Sequence, residues 1–149
     1  MAITYRCDPG LGCTFIMWDR EVTPDEWRGH VALLFDDPAF PPGPLVLADL
    51  STAGGAVMIS TEVIEEMGDG WSDRAERLDP IKIAVVPNGA WEKARQFERA
   101  VEGSGLTTIV FNDLVTACKW LGVDPEPAGS ILEQMREGAR PSPPVETAS

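Results

Sequence analysis

A chain of 149 residues with 44 % hydrophobic side chains is long enough to bury one core, too short for two full domains, and too apolar to be wholly disordered. Twelve basic against 24 acidic residues leave a net charge of −12, a field that repels nucleic-acid phosphates and anionic lipid headgroups, so no nucleic-acid partner is expected. No run approaches the roughly 20 apolar residues of a membrane span, and the start Met1-Ala2-Ile3-Thr4-Tyr5-Arg6 lacks a basic segment followed by an apolar one; the expectation is a cytoplasmic protein with no integral membrane segment.

The chain opens with two strand-like runs, Ile3–Cys7 and Cys13–Trp18, around Asp8-Pro9-Gly10-Leu11-Gly12, whose proline and glycines suit a turn; an antiparallel hairpin follows. Thr23-Pro24-Asp25-Glu26 then reads as a helix start, with a hydroxyl cap, proline at the first helical position and two carboxylates at the positive end of the dipole. Trp27, Val31, Leu34 and Phe35 recur at helical spacing, and Asp37-Pro38 stops the helix because a residue before proline is pushed out of the α region. Leu45-Val46-Leu47-Ala48-Asp49-Leu50 is the run expected of a central strand covered on both faces.

After a small-residue loop, Ser51–Ala56, a helix begins near Ser60 with Val63, Met67, Trp71, Ala75 and Leu78 on one face. Gly68 and Gly70 interrupt it at a cost of about 1 kcal/mol each, so one broken helix and two short ones both fit. Ile81–Val86 is the next strand. Asn88 is the expected cap of a helix that turns Trp91, Ala94, Phe97 and Val101 inward, and Leu106–Phe111 is the fifth strand. Asn112 is the expected cap of a helix with Leu114, Ala117, Cys118 and Leu121 inside. Past Val123 the chain turns proline-rich, with a short helix at Ser130–Glu137 and a flexible tail from 138.

Strands alternating with helices predict a single α/β domain over residues 1–123, with a mixed, mostly parallel five-stranded sheet, an N-terminal hairpin and four to five helices. Residues 124–149 read as a C-terminal extension. Three cysteines, Cys7, Cys13 and Cys118, leave one unpaired under any disulfide scheme; free core thiols are expected, ahead of a Cys7–Cys13 bridge across the hairpin.

The element order resembles the STAS family of anti-sigma factor antagonists, in the branch grouped with SEC14-like lipid-binding modules. Asp37-Pro38-Ala39-Phe40, Leu47-Ala48-Asp49-Leu50, Ile83-Ala84-Val85-Val86 and Phe111-Asn112-Asp113-Leu114 with Ala117-Cys118-Lys119-Trp120-Leu121 carry the resemblance, over roughly Ile3 to Gly122. Regulatory members are phosphorylated at a serine or threonine that opens the helix after the Asp-Leu strand, which the resemblance places at Ser60 or Thr61. The usual Asp-Ser-Ser-Gly pattern is replaced here, with Ile59 before Ser60 and Glu62 after Thr61.

Candidate site residues follow from position as well. Asp49, Ser51, Thr52, Asn88 and Asn112 fall at the carboxyl ends of strands, where open α/β sheets bind ligands, although turn and cap chemistry explains the same residue types. Glu62, Glu65, Glu66 and Trp71 make an acidic, partly aromatic helix suited to a basic protein partner, against the plain reading of a solvated face. His30 is the single histidine, so neither a metal cluster nor a histidine-paired nucleophile is expected, and no cofactor fingerprint is present. The expected function is a non-enzymatic regulatory or protein-interaction domain. The alternative is a module for a small apolar ligand or lipid, suggested by the SEC14-like resemblance and five tryptophans. A homodimer through the sheet edges is compatible with either.

Overall fold

Asp8 folds the first turn: its Oδ1 accepts a hydrogen bond from the Leu11 N–H at 2.9 Å, and Gly12 at φ 65° completes the reversal. Strands β1 (Ile3–Asp8) and β2 (Cys13–Trp18) therefore pair antiparallel, with Asp8 opposite Cys13 and Ile3 opposite Trp18. The computed structural model describes residues 3–18, 23–50, 61–78, 81–87, 91–102 and 106–139. Along them run α1 (Pro24–Asp36), β3 (Leu45–Asp49), α2 (Thr61–Leu78), β4 (Ile81–Val86), α3 (Trp91–Ala100), β5 (Leu106–Val110), α4 (Leu114–Leu121) and α5 (Pro125–Ala139).

The five strands lie in sequence order, β1-β2-β3-β4-β5, antiparallel at the first pair and parallel at the other three. The described residues adopt the expected α/β class, with a mixed five-stranded sheet and five helices where four to five were expected. Crossovers of one hand, each advancing one strand, place successive helices on one face of a sheet. The core divides accordingly. Ile16, Val46, Ile83 and Val85 face α1, α2 and α3 through Trp27, Leu34, Met67 and Ala94. Phe15, Met17, Leu47 and Ala84 face α4 and α5 through Ala117, Leu121, Ile131 and Leu132. With both faces covered, all six residues of β2 are buried, the signature of an interior strand.

Helix α1 starts as its sequence requires. Thr23 Oγ1 accepts from the Glu26 N–H at 3.2 Å, and the Glu26 carboxylate accepts from the Thr23 N–H at 3.1 Å, closing a capping box. Its end is pinned by Asp37, whose carboxylate accepts from the Ala39 N–H at 2.8 Å and from the Tyr5 hydroxyl of β1 at 2.7 Å.

Several expectations are corrected. Helix α2 is continuous through Gly68 and Gly70. A Cβ at Gly68 would meet the Ala100 Cβ at 2.8 Å, so the missing side chain lets α2 and α3 approach closely, and that close packing replaces the expected break. The cap of α4 is Asp113, which accepts from the Thr116 N–H at 2.8 Å; Asn112, one residue earlier, lies outside the helix and exposed. The short helix expected at Ser130–Glu137 is the later part of the 15-residue α5, which buries Ala128, Ile131, Leu132 and Met135. Two prolines, Pro125 and Pro127, sit in its first turn, where proline is tolerated, and this start was hidden in a segment that reads as proline-rich coil. The tail expected from 138 begins within α5, which runs to Ala139; its remainder and the Asn88 cap lie outside the described residues. Cys7, Cys13 and Cys118 are free thiols. Cys7 sits opposite Thr14 and Cys13 opposite Asp8, and burial pushes the Cys13 thiol up to about 12.

Candidate functional site

A cavity of about 80 Å³, partly open to solvent, lies between the sheet and the helices α1, α2 and α3. Its floor is Ile16 and Trp18 of β2, Val46, Ala48 and Leu50 at and just beyond β3, and Ile83 and Val85 of β4. These are alternate positions on one sheet face, and the parallel register that places Val46 beside Ile83 and Ala48 beside Val85 assembles them. Trp27 and His30 of α1 form one wall, Ile64, Met67 and Trp71 of α2 another, and Ala94 and Phe97 of α3 the third. Spacings of three and four residues bring each helix set onto its inward stripe.

Almost every one of these side chains is a hydrocarbon or an aromatic ring. The exception is His30, only 4 % exposed. Its ring meets the edge of Tyr5 at a centroid distance of 5.7 Å, and among the described residues no protein group hydrogen-bonds its nitrogens. Burial pushes its imidazole down to about 4, so it is neutral at pH 7, with one nitrogen a donor and the other a bare acceptor. Among the described residues no Asp, Glu, Lys or Arg lines the cavity.

Of the residues expected to form a site, those that are described lie away from the cavity, with one exception. Trp71, expected on a docking face, is 4 % exposed: it packs edge-on against Phe35 at 4.9 Å and Phe40 at 6.4 Å and lines the cavity. The helical periodicity had already placed it in the apolar stripe of α2, and a ring of that size is buried by such a stripe. Asp49, expected at a ligand-binding edge, is 4 % exposed and accepts a 3.0 Å charge-assisted bond from Arg136 of α5. Glu66 is held by Arg28 through two bonds of 2.7 and 2.9 Å, which draw its carboxyl below the usual range. Glu62 and Glu65 are exposed on α2, as are Asp69 and Asp73. Ser51, Thr52, Ser60 and Asn88, and the side chain of Thr61, lie outside what is described.

Two residues went unnoticed as site features in the sequence. His30 carried a signal, its position three residues after Trp27 on the apolar stripe, but a lone histidine there reads as flanking core. Arg136 carried none, because its helix was not expected to reach the sheet. Among the described residues no group of three or more His, Cys, Asp or Glu side chains is placed to hold a metal ion, and no helix is long and apolar enough to cross a membrane. No protein-family model, curated protein or solved structure matches the chain.

Proposed function

We propose that this chain is a non-enzymatic binding domain of the STAS/SEC14-like kind, and that it holds a small apolar ligand between its sheet and the helices α1 to α3. The observation that carries this reading is the cavity itself: an apolar space bounded by three helices and three strands, with one side chain among its described residues that is a strong hydrogen-bond acceptor. Ligand sites are typically concave and mostly apolar with a few placed polar groups. The strand order, sequential with one antiparallel edge pair, is compatible with the resemblance read from the sequence.

The reading is tested by thermal unfolding with and without benzene. A ligand that binds the folded state alone raises the midpoint in proportion to ln(1 + [L]/Kd). The wild-type protein should gain stability with benzene, and Ala94→Leu, which puts three more carbons into the cavity wall, should gain none. No gain in the wild type, or the same gain in the variant, contradicts the reading.

A second reading is a regulatory domain that docks a basic protein partner on α2. The exposed series Glu62, Glu65, Asp69 and Asp73 favours it, because spacings of three and four residues gather these carboxylates on one helix surface. A partner bound there should be lost on Glu62→Lys and Glu65→Lys substitution and weakened by salt; binding indifferent to both contradicts it. Burial of Trp71 takes the aromatic component away from this surface, which is why the ligand reading ranks first.

A further inference from the structure

The cavity has one chemical distinction within its walls. Three indoles and a phenyl ring supply shape, and an indole N–H can only donate a hydrogen bond. Among the described lining side chains His30 alone offers a strong acceptor, the bare nitrogen of an imidazole kept neutral by burial. That side chain is 4 % exposed and makes no hydrogen bond to a protein group among the described residues. Its ring nitrogens are not among the fully buried atoms left without a partner, so they touch open space, where an outside donor can reach them. The described residues of the walls include no charged side chain, so a charged headgroup would meet no counter-ion among them. The volume of about 80 Å³ is smaller than the roughly 150 Å³ engineered cavity that takes up benzene. The enclosed space therefore takes no more than one ring, with an edge at the mouth.

We propose that the ligand is an uncharged molecule of at most one ring carrying one hydroxyl, and that this hydroxyl donates to the unprotonated nitrogen of His30. The inference rests on the ligand reading above and adds the chemistry that selects the ligand: apolar contact from the tryptophans and methyl groups, orientation from a single acceptor.

Phenol and fluorobenzene test it, because they are close in shape and only phenol donates. Binding of each to the full chain is followed by NMR at the side-chain methyls of Ile64 and Ile83. A neutral hydrogen bond is worth a factor of about 3 to 10 in affinity, so the wild type should prefer phenol by that ratio. His30→Leu should bind the two equally, and His30→Gln, which keeps an acceptor and is an independent check on folding, should keep part of the preference. Equal binding of the two probes by the wild type, or a phenol preference that survives in His30→Leu, overturns the inference while leaving the ligand reading intact. If neither probe moves those methyls, the ligand reading falls and takes the inference with it.

Discussion

Asp49 at the end of β3 and Arg136 in α5 are 87 residues apart and joined by a 3.0 Å charge-assisted hydrogen bond, with the carboxylate almost fully buried and the guanidinium about one-third exposed. The pair fastens the C-terminal helix to the middle of the sheet, and a second tie, from Arg6 in β1 to the Gln134 Oε1 at 2.8 Å, fixes the helix against the hairpin edge. The same helix buries Ile131, Leu132 and Met135 in the core on that sheet face.

Removing the cation takes the charge-assisted partner away from a buried carboxylate. Breaking a fully buried pair costs roughly 3–5 kcal/mol, and the partial exposure of Arg136 lowers that to about 2 kcal/mol for Arg136→Met. Asp49→Asn combined with Arg136→Met should cost less than the sum of the single changes, since the buried charge is removed together with its cation. Urea unfolding of the four proteins checks this, and strictly additive losses would show that the pair is not coupled.

His30 sets an acid limit on stability. Its imidazole titrates near the ordinary 6.5 in the unfolded chain and near 4 when folded, so between those values the unfolded state binds a proton that the folded state does not. Stability is therefore unaffected by this group above pH 6.5 and falls as pH drops toward 4, by about 3 kcal/mol in all. Unfolding measured across pH 4 to 7 should show this slope in the wild type and lose it in His30→Leu. A slope unchanged by the substitution would place the acid sensitivity elsewhere.

Two glycines should respond to alanine in opposite senses. Gly29 lies in α1, exposed, and a Cβ there meets nothing within 4 Å, so Gly29→Ala should stabilise by about 0.5–1 kcal/mol through helix propensity. Gly68→Ala has the same propensity gain but drives a methyl to 2.8 Å from the Ala100 Cβ, and overpacking of about 1–3 kcal/mol outweighs it. Thermal midpoints that rise for both would mean that α2 and α3 separate without cost.

The architecture was legible because its signals are local. The turn at Asp8-Pro9-Gly10, the capping box at Thr23, the proline stop after Asp37 and the apolar run at Leu45–Leu50 each act within a few residues, and together they order strands and helices. The motif Asp37-Pro38-Ala39-Phe40 proved to be a joint: one carboxylate ends α1 and reaches the Tyr5 hydroxyl, which that bond, with burial, raises to about 12. What stayed hidden depends on approach between distant elements. Gly68 reads as a helix breaker until Ala100 is seen against it, and Arg136 reads as a surface charge until α5 is laid on the sheet. The cavity is of the same kind, since its walls come from six elements and any one of them taken alone reads as ordinary core.

Xenon tests the central claim, that the space between the sheet and α1 to α3 is an apolar site ready to accept a ligand, because it occupies apolar cavities without any hydrogen bond. Methyl NMR spectra of the full chain should be recorded with and without dissolved xenon. The account predicts shifts at Ile16, Ile64, Met67 and Ile83 around the cavity and none at Met17, Ile131 and Met135 on the opposite sheet face. Spectra that do not change, or that change only on the α4–α5 face, would contradict it.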